Sequence, residues 1–292
     1  MTASATSAAF PVRRVRASRA GRVDRPGFLT YGLLSAFILG STYPLWWSFV
    51  VASGSNATRS ETLPLVPGGN FLANASQVLT AIPFWTALLN SVIVSGIITL
   101  SVVSFSTLAG YAFAKLRFRG RDGLMIGVVA TMAIPTQLGI IPLFILMRQL
   151  GWTGSLGAVI VPTLVTAFGV FFMRQYLVDV IPDELIEAAR VDGANQFRTF
   201  LTVAVPAARP AMAILGLFTF MMAWTDFLWP LIVLSPTNPT LQTALAQLQS
   251  GYYVDYSIVL AGAVLSVIPL LVLFLLAGRQ LIAGIMSGAV KG

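Results

Sequence analysis

Six long apolar runs limit what this chain can fold into more than any other feature. They lie at about Phe28–Val51, Phe84–Ala114, Leu124–Met147, Leu156–Tyr176, Ala211–Leu234 and Tyr256–Leu276. Each matches the roughly 20 residues that an α-helix needs to cross a hydrocarbon core of about 30 Å. In lipid only a helix or a closed barrel satisfies its own backbone, and runs such as SVIVSGIITLSVVSFSTLAGYAFA lack the strict alternation of barrel strands. Composition agrees: 57% of residues are hydrophobic and 10% charged, with a mean hydropathy of +0.84. One soluble core cannot hide so large an apolar excess. The expected fold is an all-α membrane protein of six transmembrane helices.

The basic residues orient it. With the N-terminus inside, sixteen Lys and Arg fall on the inner side, and only Arg59 and Arg148 fall outside. The positive-inside rule then predicts that both termini are cytoplasmic. Residues 1–27 carry Arg13, Arg14, Arg16, Arg19, Arg22 and Arg25 against one acid, Asp24, and nothing in them can build a core. They are expected to form a disordered Arg-rich cytoplasmic tail. A transit peptide or signal-peptide start fits less well, because the apolar run that follows has 24 residues and more spans come after it. The expected organisation is this tail, then a first transmembrane helix and extracytoplasmic loop over 28–83, a transmembrane core over 84–280 and a cytoplasmic C-terminal tail over 281–292.

The chain contains no His and no Cys. That excludes thiol chemistry, Cys/His zinc sites, histidine-ligated haem and Ser-His-Asp triads, so no catalytic and no metal-binding residue is expected. The two lysines, Lys115 and Lys291, do not follow a phosphate-cradling Gly-rich loop. The chain is therefore no P-loop ATPase, and nucleotide-driven work would need another subunit.

Three features carry alternatives. Pro135, Gly139 and Pro142 break the third run, as at a transporter hinge or as membrane helices commonly tolerate. Asp226, in AWTDFLWP, is the only acid well inside a predicted span. It either lines a solute path or bonds a neighbouring helix, and its place near the outer end favours the second. Segment 235–256, with Tyr252 and Tyr253, is either a docking loop for a binding protein or solute, or an ordinary interfacial loop.

The longest inner connection reads VDVIPDELIEAARVDGANQFRTFLTVAVPAARP. Pro182 suits a helix start, Asp183, Glu184 and Glu187 favour its N-terminal end, and Gly193 is a natural stop, which predicts a helix from Pro182 to Asp192. Asn195 then caps a second short helix towards Pro206, giving a bent pair on the membrane surface. Leu185, Ile186, Ala188, Ala189, Phe197 and Phe200 suit either a docking surface or an amphipathic helix packed on its own bundle.

The string EAARVDGANQFRTFLTVAVP, Glu187 to Pro206, resembles the EAA motif of bacterial ABC-importer permeases. Val203 and Val205 are conservative departures at its aliphatic places. FLANASQVLTAIPFWTALLNSVIVS, AIPTQLGIIPLF, LGWTGS, AWTDFLWPL and RQLIAGIMSGAVKG are similar, in order and spacing, to the MalG-type permease of carbohydrate importers. The Arg-rich tail lies outside the pattern.

This resemblance implies a type I ABC-importer permease bundle in a bacterial or archaeal plasma membrane. Its implied partners are a second homologous permease, a cytoplasmic ABC ATPase dimer that binds ATP and Mg, an extracytoplasmic solute-binding protein and membrane lipid, with no nucleic acid and no cofactor of its own. It implies a non-catalytic subunit that moves a carbohydrate by alternating access. Segment 182–206 becomes the coupling loop, with Glu187, Ala188, Ala189, Arg190, Asp192 and Gly193 as ATPase-coupling residues and a weaker contact from Gly288, Lys291 and Gly292. A secondary carrier or channel is the alternative, but it would show intramembrane ionisable relays or an internal repeat, and neither is evident. An intramembrane enzyme would need a nucleophile and base that this composition hardly supplies.

Overall fold

In the computed structural model the described residues are 27–55 and 65–289, with side chains to Leu276. The expected Arg-rich tail, Lys291 and Gly292 lie outside them. The described residues form helices α1 (Phe28–Ala52), α2 (Phe71–Ala81), α3 (Phe84–Lys115), α4 (Arg121–Met132), α5 (Ile140–Gln149), α6 (Leu156–Ile160) and α7 (Ala167–Val180). Then follow α8 (Asp183–Val191), α9 (Gln196–Thr199), α10 (Val205–Thr225), α11 (Leu228–Val233), α12 (Leu241–Gln247) and α13 (Tyr256–Ala289). Five runs are long and apolar enough to cross a membrane: Phe28–Ala52, Phe84–Lys115, Leu156–Val180, Gln196–Thr225 and Tyr256–Leu276.

The sixth is bent. Segments Arg121–Met132 and Thr136–Gln149 meet at 88°, so the run expected as one kinked span is two helices at nearly a right angle. Ala133 and Ile134 donate to Ala130 and Thr131, closing three-residue turns, and Pro135 has no N–H to continue the ladder. Pro142 lies in the first turn of α5, where its missing donor costs nothing.

The fifth span is also displaced from its expected place at Ala211–Leu234. It runs from Gln196 to Thr225, because the π-helical turn Phe200–Ala204 joins α9 to α10 without a break. Pro206 lies just after this turn and does not end the helix, although it has no N–H to donate back into it. The anticipated second surface helix is therefore the start of a span. The chain breaks instead at Asp226 and Phe227, before the short α11.

Two compact units divide the chain, residues 1–44 and 45–292. The described part of the first begins α1, and its Leu33, Phe37 and Leu39 are exposed. In the second, α3 packs along α7 and α10, and α10 in turn along α13. One core gathers Val94, Ile98, Val102, Met173, Leu177 and Leu215; another gathers Val78, Phe84, Trp224, Leu241 and Ala261. Lipid tails are as apolar as these side chains, so close packing rather than water exclusion holds such helices together. At Gly110 the α7 backbone comes close: a Cβ there would stand 2.8 Å from both the Met173 Cβ and the Arg174 nitrogen.

The end of α3 remote from α8 is fixed by a polar network. Asn90 Nδ2 donates to Asn238 Oδ1 at 2.8 Å and to the Pro239 carbonyl at 2.9 Å, and the Leu241 N–H donates to Ser91 Oγ at 2.8 Å. Asn238 Nδ2 donates in turn to the Gly154 carbonyl at 3.1 Å, which stitches two connecting loops to one span. Asn90→Ala strands these buried partners, at a cost of about 1–3 kcal/mol. A lowered thermal midpoint of the purified protein is the expected measurement.

Candidate functional site: the exposed helix between two spans

The EAA segment lies on α8, Asp183–Val191, one residue shorter at each end than the sequence suggests. Pro182 is its N-cap and Asp192 its C-cap. Asp183 and Glu184 at its start and Arg190 in its last turn each match the polarity of the helix dipole. The helix ends in a Schellman motif: the Gly193 N–H donates to the Arg190 carbonyl at 3.0 Å, and the Ala194 N–H to the Ala189 carbonyl at 2.9 Å. That closure needs the left-handed backbone seen at Gly193, φ +79°.

One side chain of α8, Ile186, is buried in the main core. Glu187, Ala188, Arg190, Asp192 and Gly193 are exposed and Ala189 is half-buried. Apolar side chains flank them in the open, with Leu185 48% exposed, Val191 88% and Phe197 64%. Single exposed apolar residues are ordinary, but three around a small-residue helix face leave room for a partner's backbone. The sequence-based site residues thus come together on one presented element, apart from Gly288 within α13 and the tail beyond the described residues.

Spans hold this element from behind. Lys115 Nζ, at the end of α3, donates to Asp183 Oδ1 at 2.8 Å. The hydrogen-bonded ammonium holds the Asp183 carboxyl below the usual carboxylate range, so the pair persists at neutral pH and is lost as acid protonates Asp183 below that range. Tyr111, one turn earlier, packs against Phe200 with ring centroids 5.5 Å apart and ring planes tilted by 47°, and its hydroxyl lies 3.4 Å from Gln196 Oε1. Asn195 Oδ1 caps α9 by accepting the Arg198 N–H at 2.8 Å. Sequence reasoning missed Tyr111, Lys115 and Gln196 as parts of this site. Their contacts span 68 and 85 residues, and no local pattern encodes them.

Asp226 is not inside a helix. It occupies the break after α10, one residue before Phe227, the N-cap of α11, with the backbone N–H groups of Trp229, Phe227 and Leu228 favouring its carboxylate. An amide oxygen can accept the same bonds, so Asp226→Asn is expected to leave stability nearly unchanged, whereas Asp226→Ala loses about 1 kcal/mol. Thermal unfolding of the two variants separates these outcomes. Segment 235–256 contains α12, and Tyr252 and Tyr253 stand fully exposed after it.

Residues 103–282, more than half of the chain, match the family described as binding-protein-dependent transport system inner membrane component. The chain belongs to this family. It is a multi-pass protein of the plasma membrane and a permease subunit of an ABC importer. Like it are the arabinooligosaccharides transport system permease protein AraQ of Halalkalibacterium halodurans, 38% identical over 72% of this chain and 75% of that one, and the lactose transport system permease protein LacG of Rhizobium radiobacter, 32% identical over 91% and 97%. A crystal structure of a bacterial ABC transporter involved in the import of the acidic polysaccharide alginate superposes with a TM-score of 0.73, at 27% identity, covering 87% of this chain and 95% of that one. This family match covers α8 and the spans of α7 and α10 that pack along α3.

Proposed function

We propose that this ABC-importer permease moves a carbohydrate, and that α8 is the coupling helix by which ATP hydrolysis on a separate ATPase dimer drives it. The observation that carries the reading is the presentation of the EAA segment. Its helix is closed by Gly193, exposes Glu187, Ala188, Arg190 and Asp192, and is bonded to a span at Lys115. Relatives that transport arabinooligosaccharides and lactose support a carbohydrate solute. The subunit itself is non-catalytic: ATP and Mg bind the ATPase, and a second homologous permease completes the pathway. An extracytoplasmic binding protein delivers the solute at the end of the bundle that carries Asn90, Asn238 and Tyr253.

The basic residues support a cytoplasmic α8. Lys115, Arg117, Arg119, Arg121, Arg190 and Arg198 all lie on or between elements at that end. By the positive-inside rule both termini are then cytoplasmic. Alternating access follows as a rigid-body movement of spans when the ATPase closes on α8 and returns.

Purification of the chain from its native membrane in mild detergent tests the assembly. A second six-span permease, a P-loop ATPase and a soluble sugar-binding protein are expected to co-purify. A chain that travels alone and moves solute in liposomes without ATP contradicts the reading and favours a secondary carrier.

A further inference from the structure

For a push on α8 to open a pathway, something must join that helix to the spans without slipping. α8 offers few attachments. Its one buried side chain, Ile186, makes apolar contacts that set no direction, and its C-terminal end turns on the exposed Gly193. Among the described residues, a single ion pair connects α8 to a span, Lys115 to Asp183 at 2.8 Å.

Its setting is asymmetric. The Lys115 side chain is 6% exposed and that of Asp183 74%. A nearly buried ammonium cannot leave its carboxylate for water without dragging the stem through packed neighbours, whereas the exposed aspartate moves with α8. The pair also joins the C-terminal end of α3 to the N-terminal end of α8, so each charge faces the helix end that favours it. Beyond the pair, α3 runs 32 residues to Phe84, packing on α7 and α10, and reaches the Asn90 network near its other end.

We propose that the Lys115–Asp183 pair is the latch through which α8 moves α3, making Lys115 a positioning residue for transport. The proposal rests on α8 being the coupling helix. Lys115 touches neither solute nor nucleotide; it makes α3 and α8 move as one body through the ATP cycle. Without the pair, α8 pivots about its Gly193 end while α3 stays behind.

The chain has no native cysteine, so spin labels can be placed singly at Leu100, on an exposed face of α3, and at Glu184, on the exposed face of α8. Pulsed EPR on the whole complex in lipid nanodiscs reads their separation without nucleotide and after trapping with MgATP and vanadate, and needs no solute. The expected wild-type distance is the same in both states. In Lys115→Met the trapped state shifts or broadens by roughly 2 Å or more, the scale of helix shifts at moving interfaces. Asp183→Ala, at the exposed partner, gives the same result if Lys115→Met fails to assemble. Exchanging the charges, Lys115→Asp with Asp183→Lys, restores the narrow distribution in part, because each charge then faces the unfavourable helix end.

A wild-type distribution in both single variants overturns the latch, as does an exchange that restores nothing. A cysteine at Ala189 keeps the two readings apart. Cross-linking to the ATPase with unchanged distances in the variants refutes the latch alone. No cross-linking in the wild-type complex removes the coupling-helix reading, and the latch with it.

Discussion

Replacing Gly193 by proline abolishes coupled transport while the chain still inserts in the membrane. The reasoning starts from the backbone. Gly193 has φ +79°, and its N–H donates to the Arg190 carbonyl. Proline has no N–H and is locked near φ −65°, so neither half of the Schellman closure survives. A Cβ at this position would meet nothing within 4 Å, so the change acts through conformation and not through a clash. The end of α8 must be rebuilt, which turns Ala189, Arg190 and Asp192 away from their present face. Gly193→Ala keeps the N–H and pays about 1–2 kcal/mol for a left-handed alanine. Since about 1.4 kcal/mol is a factor of ten, binding-protein-stimulated ATP hydrolysis should fall several-fold in the alanine variant and by more than tenfold in the proline variant. The amount of chain in the membrane should be unchanged in both. Normal stimulated hydrolysis in Gly193→Pro would show that the shape of this helix end is irrelevant to coupling.

Gly110→Val acts on the bundle itself. Where the backbones of α3 and α7 meet, a Cβ at Gly110 would stand 2.8 Å from the Arg174 nitrogen, 2.8 Å from the Met173 Cβ and 2.9 Å from the Met173 carbonyl carbon. Carbon contacts are optimal at about 3.5–4.0 Å. Most of the obstruction is backbone, so no side-chain rotation relieves it, and the two helices must separate by roughly 1 Å along their whole interface. In lipid, close packing is the main attraction between them. The expected cost is about 1–3 kcal/mol, at the upper end for a branched side chain, read as a lower thermal midpoint and a smaller yield of assembled complex. Gly96→Ala is the control on the same helix, because its added Cβ meets nothing within 4 Å. It should be neutral or slightly stabilising. Equal behaviour of the two variants would mean that α3 and α7 do not approach as closely as they do here.

Much of this architecture is legible in the sequence because lipid demands long apolar helices. The first, second and last spans lie within a few residues of their hydropathy limits, apart from the longer C-terminal run of α13. The errors fall where backbone chemistry overrides that pattern. Pro135 marks the break in the third run, but nothing in its local sequence gives the size of the bend, 88°. Pro206 reads as a stop, yet the π-helical turn before it carries the helix through. Helices α2 and α12 are too short to form an apolar run and were expected only as loop. At the site, the EAA string and Gly193 are local and readable. Lys115 is not, because its meaning comes from a carboxylate 68 residues away.

The claim that α8 is where the ATPase acts is tested most directly by cross-linking. A single cysteine at Glu187, exposed on α8, is the only one in this chain. It should cross-link to the ATPase in the purified complex, and more strongly after trapping with MgATP and vanadate. A cysteine at Tyr253, fully exposed near the opposite end of the bundle, should form no such product. Cross-linking of Tyr253 but not Glu187 to the ATPase would contradict both the coupling helix and the orientation.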